Sequence, residues 1–208
     1  MMLLSFHTRY DGGGIYRHVS LTTVDPLHVL PYGVYAPSHV TGEINENSDS
    51  SASASAILNC TVDVANYKTV DARFSVVSTV VDQTTDAVVA SKSSGAITLP
   101  AGANMTYACG GLAMPQATLW SIEDPHLYTL VTRISTTAND FADVVNTTFG
   151  VRTATFDPDK GFFLNGKSVK IKGTCQHQDF AGVGVAVPDI LQEYRVKSLK
   201  AIGGNGWR

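Results

Sequence analysis

Charged side chains are scarce in this sequence, at 16% of 208 residues where soluble proteins average about 25%. The 15 basic and 18 acidic residues form no long runs, which leaves no electrostatic footprint for nucleic acid and none for an anionic membrane surface. Long apolar runs are missing as well. The opening MMLLSFHTRYDGG has one short apolar patch and no basic leader, so it fits neither a secretory signal nor a membrane span, and the compartment expected by default is the cytoplasm. The histidines (His7, His18, His28, His39, His126, His177) stand singly, with none of the i, i+4 pairing that puts two ligands on one helix face. No metal and no cofactor is implied. Cysteine is limited to Cys60, Cys109 and Cys175, without metal-ligand spacing, and buried free thiols are the expectation. Glutamate occurs only at Glu43, Glu46, Glu123 and Glu193, which restricts any chemistry that needs a pair of glutamates.

What is present is a pattern of half-buried strands. In residues 57–64, Leu58, Cys60, Val62 and Val64 alternate with Asn59, Thr61 and Asp63, the two-residue period of a strand with one face inward. The same reading applies to Phe74, Val76 and Val80, and to Tyr128, Leu130, Thr132 and Ile134. Short strands with no helix between them predict a β-sandwich, placed at 31–151. Residues 47–56, NSDSSASASA, are small and polar and are expected to form a mobile loop. Asn59, Asn104 and Asn146 each open an Asn-X-Thr triplet, taken as chance matches in a Thr-rich chain.

The pattern changes after Arg152. Residues 157–166, DPDKGFFLNG, carry turn residues at both ends, and Val169 and Ile171 alternate with Lys170 and Lys172 as a short strand. A helix follows, opened by Pro188 and Asp189, with Gln192 placed for a capping box and Gly203-Gly204 as the stop. Ile190, Leu191, Tyr194, Leu199 and Ile202 give it an apolar face. With residues 206–208 as a second strand, strand, helix and strand make a βα unit on a parallel sheet.

Three segments in this order carry a resemblance: residues 12–21 (GGGIYRHVSL), 119–130 (LWSIEDPHLYTL) and 149–208, beginning FGVRTATFDPDKGFFLNGKSVKIKGTCQHQD. Together they resemble glycoside hydrolase family 2, β-galactosidase type. The resemblance implies a mainly β fold: a C-terminal remnant of a jelly-roll sugar-binding domain (1–30), an immunoglobulin-like β-sandwich (31–151), and a linker with the first βα unit of an incomplete (β/α)₈ barrel (152–208). Residues 1–11, and Ser20 in place of a tryptophan, depart from the family pattern. The implied activity is hydrolysis of β-linked sugars, β-galactosides foremost, with a carbohydrate as partner and two glutamates on later barrel strands as acid/base and nucleophile. Glu193 and Glu123 fall away from a barrel mouth. Asn45-Glu46 copies the family's Asn-Glu pair but lies far upstream, so no catalytic residue is assigned in this chain and the piece is expected to be inactive alone. The resemblance places His177 on sugar hydroxyls and Arg208 beside the nucleophile; Gln178 and Asp179 are read as orienting the loop, and Trp120 as core ahead of a sugar platform. The alternatives are a noncatalytic sandwich module that binds carbohydrate or a protein, and a piece that completes itself as a homo-oligomer or with a complementing chain.

Overall fold

The structure, a computed structural model, describes residues 15–44, 52–137 and 140–208. They fall into two compact units, one of 23–170 and one of 171–208 together with the described part of 1–22.

The first unit is built of strands: β1 (Leu27–Tyr35), β2 (Ser38–Val40), β3 (Ser53–Asn66), β4 (Ala72–Asp82), β5 (Val88–Ser93), β6 (Ile97–Leu99), β7 (Asn104–Thr118), β8 (Tyr128–Thr137), β9 (Asp140–Phe149), β10 (Ala154–Asp157), β11 (Gly161–Leu164) and β12 (Lys167–Ser168). In one antiparallel sheet β3 lies between β7 on one side and β1 and β2 on the other. A second runs β5-β4-β8-β9, with β6 also on β4. The strands alternate as read: Leu58, Cys60, Val62 and Val64 of β3 are buried with Phe74, Val76 and Val80 of β4 and Tyr128, Leu130 and Ile134 of β8. These inner faces share one apolar core, so the unit is a β-sandwich. β1 begins at Leu27, because Leu27 and Val29 are buried against the far end of β3.

Two expectations are corrected here. Ser53–Ala56 are not loop but the start of β3, with Ala54 and Ala56 each 2% exposed. Alternating Ser and Ala is itself a period-two pattern, and alanine is small enough to face the core where β3 pairs with Ala117 and Thr118 of β7. The rest of that stretch, with Asn45-Glu46, lies outside the described residues. Cys60 and Cys109 are not free thiols but a disulfide joining β3 to β7, Cα atoms 5.2 Å apart. An irregularity in register between Cys60 and Thr61 leaves Cys109 as the extra residue of a bulge, which turns it inward beside Cys60. The Ser78 hydroxyl sits 3.4 Å from Cys109 Sγ and 3.8 Å from Cys60 Sγ.

Beyond the sandwich, β10, β11 and β12 form a small antiparallel sheet. Its first turn is held by Asp157, whose Oδ1 accepts the amides of Asp159 and Lys160, each at 2.9 Å.

The second unit holds β13 (Gly173–Thr174), helix α1 (Asp189–Ala201) and β14 (Gly206–Trp207). β13 and β14 are parallel, joined through α1, as the sequence pattern requires. The ladder sits at Gly173–Thr174, just beyond the predicted alternation. Gly173 faces Gly206 so closely that a Cβ on Gly173 would stand 2.8 Å from the Gly206 carbonyl oxygen, and only a residue without a side chain permits that approach. α1 ends as expected: Gly203 has φ +82, and its amide and that of Gly204 return to Lys200 and Leu199, a Schellman stop. Its start differs. Asp189 lies inside the first turn behind Pro188, and no side chain caps the helix, so the Asp189–Gln192 capping box does not form.

Candidate functional site

The two parallel strands present their C-terminal ends side by side. Lys172 O accepts the amides of Asn205 (2.8 Å) and Gly206 (3.0 Å), the Arg208 amide donates to Thr174 O (3.2 Å), and the Gln176 amide donates to Arg208 O (2.8 Å). The Asn205 side chain closes the near end by accepting the Lys172 amide at 2.7 Å. The chain therefore leaves β13 into the loop 175–188 at the point where β14 ends in Arg208. His177 stands in that loop with its side chain exposed, and the Arg208 guanidinium rests on Cys175, Nη1 to Sγ 3.5 Å. Cys175 is exposed and unbridged rather than buried.

α1 reaches back to the loop through Arg195. Its Nη1 donates to the His177 carbonyl at 3.1 Å and its Nη2 to the Asp179 carbonyl, while the guanidinium carbon sits 4.7 Å from the Phe180 ring centroid. Sequence reading left Arg195 out; the one clue was its position two turns into a helix that follows the loop. Asp189, freed from capping, meets His18 Nε2 at 2.8 Å and Arg17 Nη2 at 3.7 Å. Arg17 also donates to Val187 O at 3.4 Å. A cleft of about 420 Å³ lies between Ile15–His18 and Ala186–Asp189.

The described glutamates are far apart along the chain. Glu43 follows β2, Glu123 precedes β8, and Glu193 projects from α1 to an ion pair with Lys197 at 2.6 Å. Trp120 is half-buried, and one face of its ring is occupied by Arg152, whose guanidinium carbon is 4.6 Å from the centroid. It is packed, not presented as an open platform. Among the described residues no group of three His, Cys, Asp or Glu could hold a metal ion.

Among the described residues, a largely enclosed His–Asp contact lies in the sandwich. His126 Nε2 lies 2.9 Å from Asp82 Oδ2, both side chains largely enclosed. Burial opposes ionisation of Asp82 most strongly, yet the amides of Thr84 and Thr85 together with His126 outweigh it and hold the carboxyl below its ordinary value. Tyr128, its hydroxyl accepting the Thr118 amide at 2.8 Å, is pushed up by burial. These contacts brace the 119–130 segment.

A sandwich of this build, followed by a parallel strand-helix-strand unit, defines a class: the family model for glycosyl hydrolases family 2 matches residues 39–152, and the chain belongs to that family. Over 96% of its length it is 34% identical to a β-galactosidase of Bacteroides ovatus and 30% identical to a β-glucuronidase of Formosa agariphila, covering 22% and 20% of those proteins. Among solved structures it is similar to a glycosyl hydrolase family 2 member from Bacteroides cellulosilyticus, with TM-score 0.82, 30% identity, and coverage of 96% of this chain and 26% of that one. The 208 residues thus span about a fifth of the length of the curated relatives.

Proposed function

We propose that this chain is the part of a family 2 glycosidase that runs from the end of a jelly-roll sugar-binding domain (1–30), through an immunoglobulin-like sandwich (31–151), to the linker and first βα unit of a (β/α)₈ barrel (152–208). The enzyme it serves hydrolyses terminal β-linked sugars, β-galactosides first among them. The observation that carries this reading is the pairing of β13 with β14, which puts the loop bearing His177 next to Arg208 at the C-terminal ends of two parallel strands. In (β/α)₈ enzymes substrates bind at that end. An imidazole there can exchange directed hydrogen bonds with sugar hydroxyls, and a guanidinium can steady a carboxylate.

A retaining glycosidase brings two carboxyls to about 5 to 5.5 Å of each other across the scissile bond. Glu43 and Glu123 stand in connecting segments of the sandwich and Glu193 on α1, which supports assigning both catalytic carboxylates to barrel strands outside these 208 residues. The purified 208-residue chain, assayed on chromogenic β-galactoside, β-glucuronide and β-mannoside, is expected to stay at background. Turnover of any of them would overturn the assignment.

A further inference from the structure

We propose that Arg195 is a positioning residue for sugar recognition: it fixes residues 177–180 from helix α1 and so sets where His177 stands at the C-terminal end of β13. The proposal rests on the reading of His177 as a pocket residue given above.

The loop needs such a device. Residues 175–188 are mostly exposed, and Val187 near the far end is the buried one. Apolar burial, which orders most surface segments that are ordered at all, is therefore little used between Cys175 and Ala186. The internal bonds hold a small turn: the Phe180 amide donates to Gly184 O at 2.9 Å and the Gly184 amide returns to Phe180 O at 3.0 Å. This shapes 180–184 but ties it to nothing else. At the other end, the Gln176 amide is fixed to Arg208 O.

Arg195 spans the gap between these two fixed points. One guanidinium donates to the carbonyls of His177 and Asp179 and sits over the Phe180 ring, so three of four consecutive residues are held by one rigid planar group. The contact is specific to arginine. Lysine would bring a point charge on a flexible stem, without the fork for two carbonyls or the flat face for the ring. Gln192, one turn earlier on α1, supports the fork with Oε1 at 3.5 Å from Nη1. Because Arg195 grips the backbone carbonyl of His177, it acts on the pocket through the place it gives that residue.

The test uses NMR on the complete 208-residue chain, comparing wild type with Arg195→Ala, Arg195→Lys and Phe180→Leu. The readouts are amide exchange of 177–181 and the His177 imidazole resonance, with and without galactose; the amides of α1 and of the β13–β14 ladder serve as fold controls. Arg195→Ala should speed exchange of 177–181 by roughly tenfold or more and move the His177 resonance towards that of an unstructured peptide, with the controls unchanged. Arg195→Lys should rescue only in part, and Phe180→Leu should loosen the loop in the same direction by less. A loop as protected as wild type in Arg195→Ala, with α1 folded, overturns the proposal. Should Arg195→Ala fail to fold, Phe180→Leu decides, and an unchanged loop in that variant is equally contrary. If galactose leaves His177 unmoved in wild type while Arg195→Ala still frees the loop, the pocket reading fails and the positioning of the loop by Arg195 stands. If galactose shifts His177 equally in wild type and Arg195→Ala, the pocket reading stands and the proposal falls.

Discussion

Reducing the Cys60–Cys109 bridge probes the sandwich with little change in composition: two thiol hydrogens are added and the two buried sulfurs separate to non-bonded contact. The bridge joins adjacent strands of one sheet across a sequence separation of 49. In the chain-entropy account, closing a loop of that length in the unfolded state is worth about 4 kcal/mol at room temperature. That is a large share of the roughly 5 to 15 kcal/mol that holds an ordinary domain together. The assay is urea unfolding, followed by tryptophan fluorescence, of oxidised and reduced protein at equal concentration. With a urea slope of about 1 to 3 kcal/mol per molar, the midpoint should fall by roughly 1.5 to 4 M on reduction. Thiol titration of the denatured chain sets the chemistry independently: one reactive thiol, Cys175, before reduction, and three after it. Three thiols in the chain denatured without reductant, or unfolding curves that coincide within about 0.5 kcal/mol, would refute the bridge as a stabilising element.

The remaining predictions concern buried polar groups. Asp82 has its carboxyl held below the ordinary 3.8, so its contribution is present above that pH and is lost as pH falls through the lower folded value; Asp82→Asn should lower stability at pH 7 and flatten the acid limb of a stability-against-pH curve. Asn66 is fully buried, its Nδ2 donating to Leu99 O at 2.9 Å and lying 3.1 Å from Val70 O and Pro100 O, and Asn66→Ala should cost about 1 to 3 kcal/mol in denaturant unfolding by stranding those carbonyls. Thr132 is the opposite case, a buried hydroxyl whose oxygen has no hydrogen-bond partner among the described residues; Thr132→Val, of nearly the same shape, should leave the thermal midpoint unchanged or raise it.

The legible part of the fold was the part set by local alternation. Leu58 to Val64 and Tyr128 to Ile134 each bury one face, and a period of two announces that in the sequence alone. The disulfide was not legible, since Cys109 faces Cys60 only through a bulge in a strand that runs through Gly110 and Gly111, and no pattern within β7 fixes that register. Ser53–Ala56 has the composition of a loop and the period of a strand, and the period decides. Around the site, the Gly203 stop is a local signal and was readable. Asp189 was assigned to a cap it does not make, because His18 and Arg17, far away in sequence, take its carboxylate. Arg195 looked like one more solvated charge on a helix; its work is visible only when loop and helix are folded together.

Under the proposed function, a sugar binds at the ends of β13 and β14 and not on the sandwich. Titrating galactose and glucuronate into the isotope-labelled 208-residue chain tests it most directly. Shifts are expected to be confined to Gln176, His177, Trp207 and Arg208 and to be abolished by His177→Ala. Saturable shifts confined to the sandwich, around Trp120 or the outer face of β3, with residues 176–208 unmoved, would contradict it and make this piece a noncatalytic binding module.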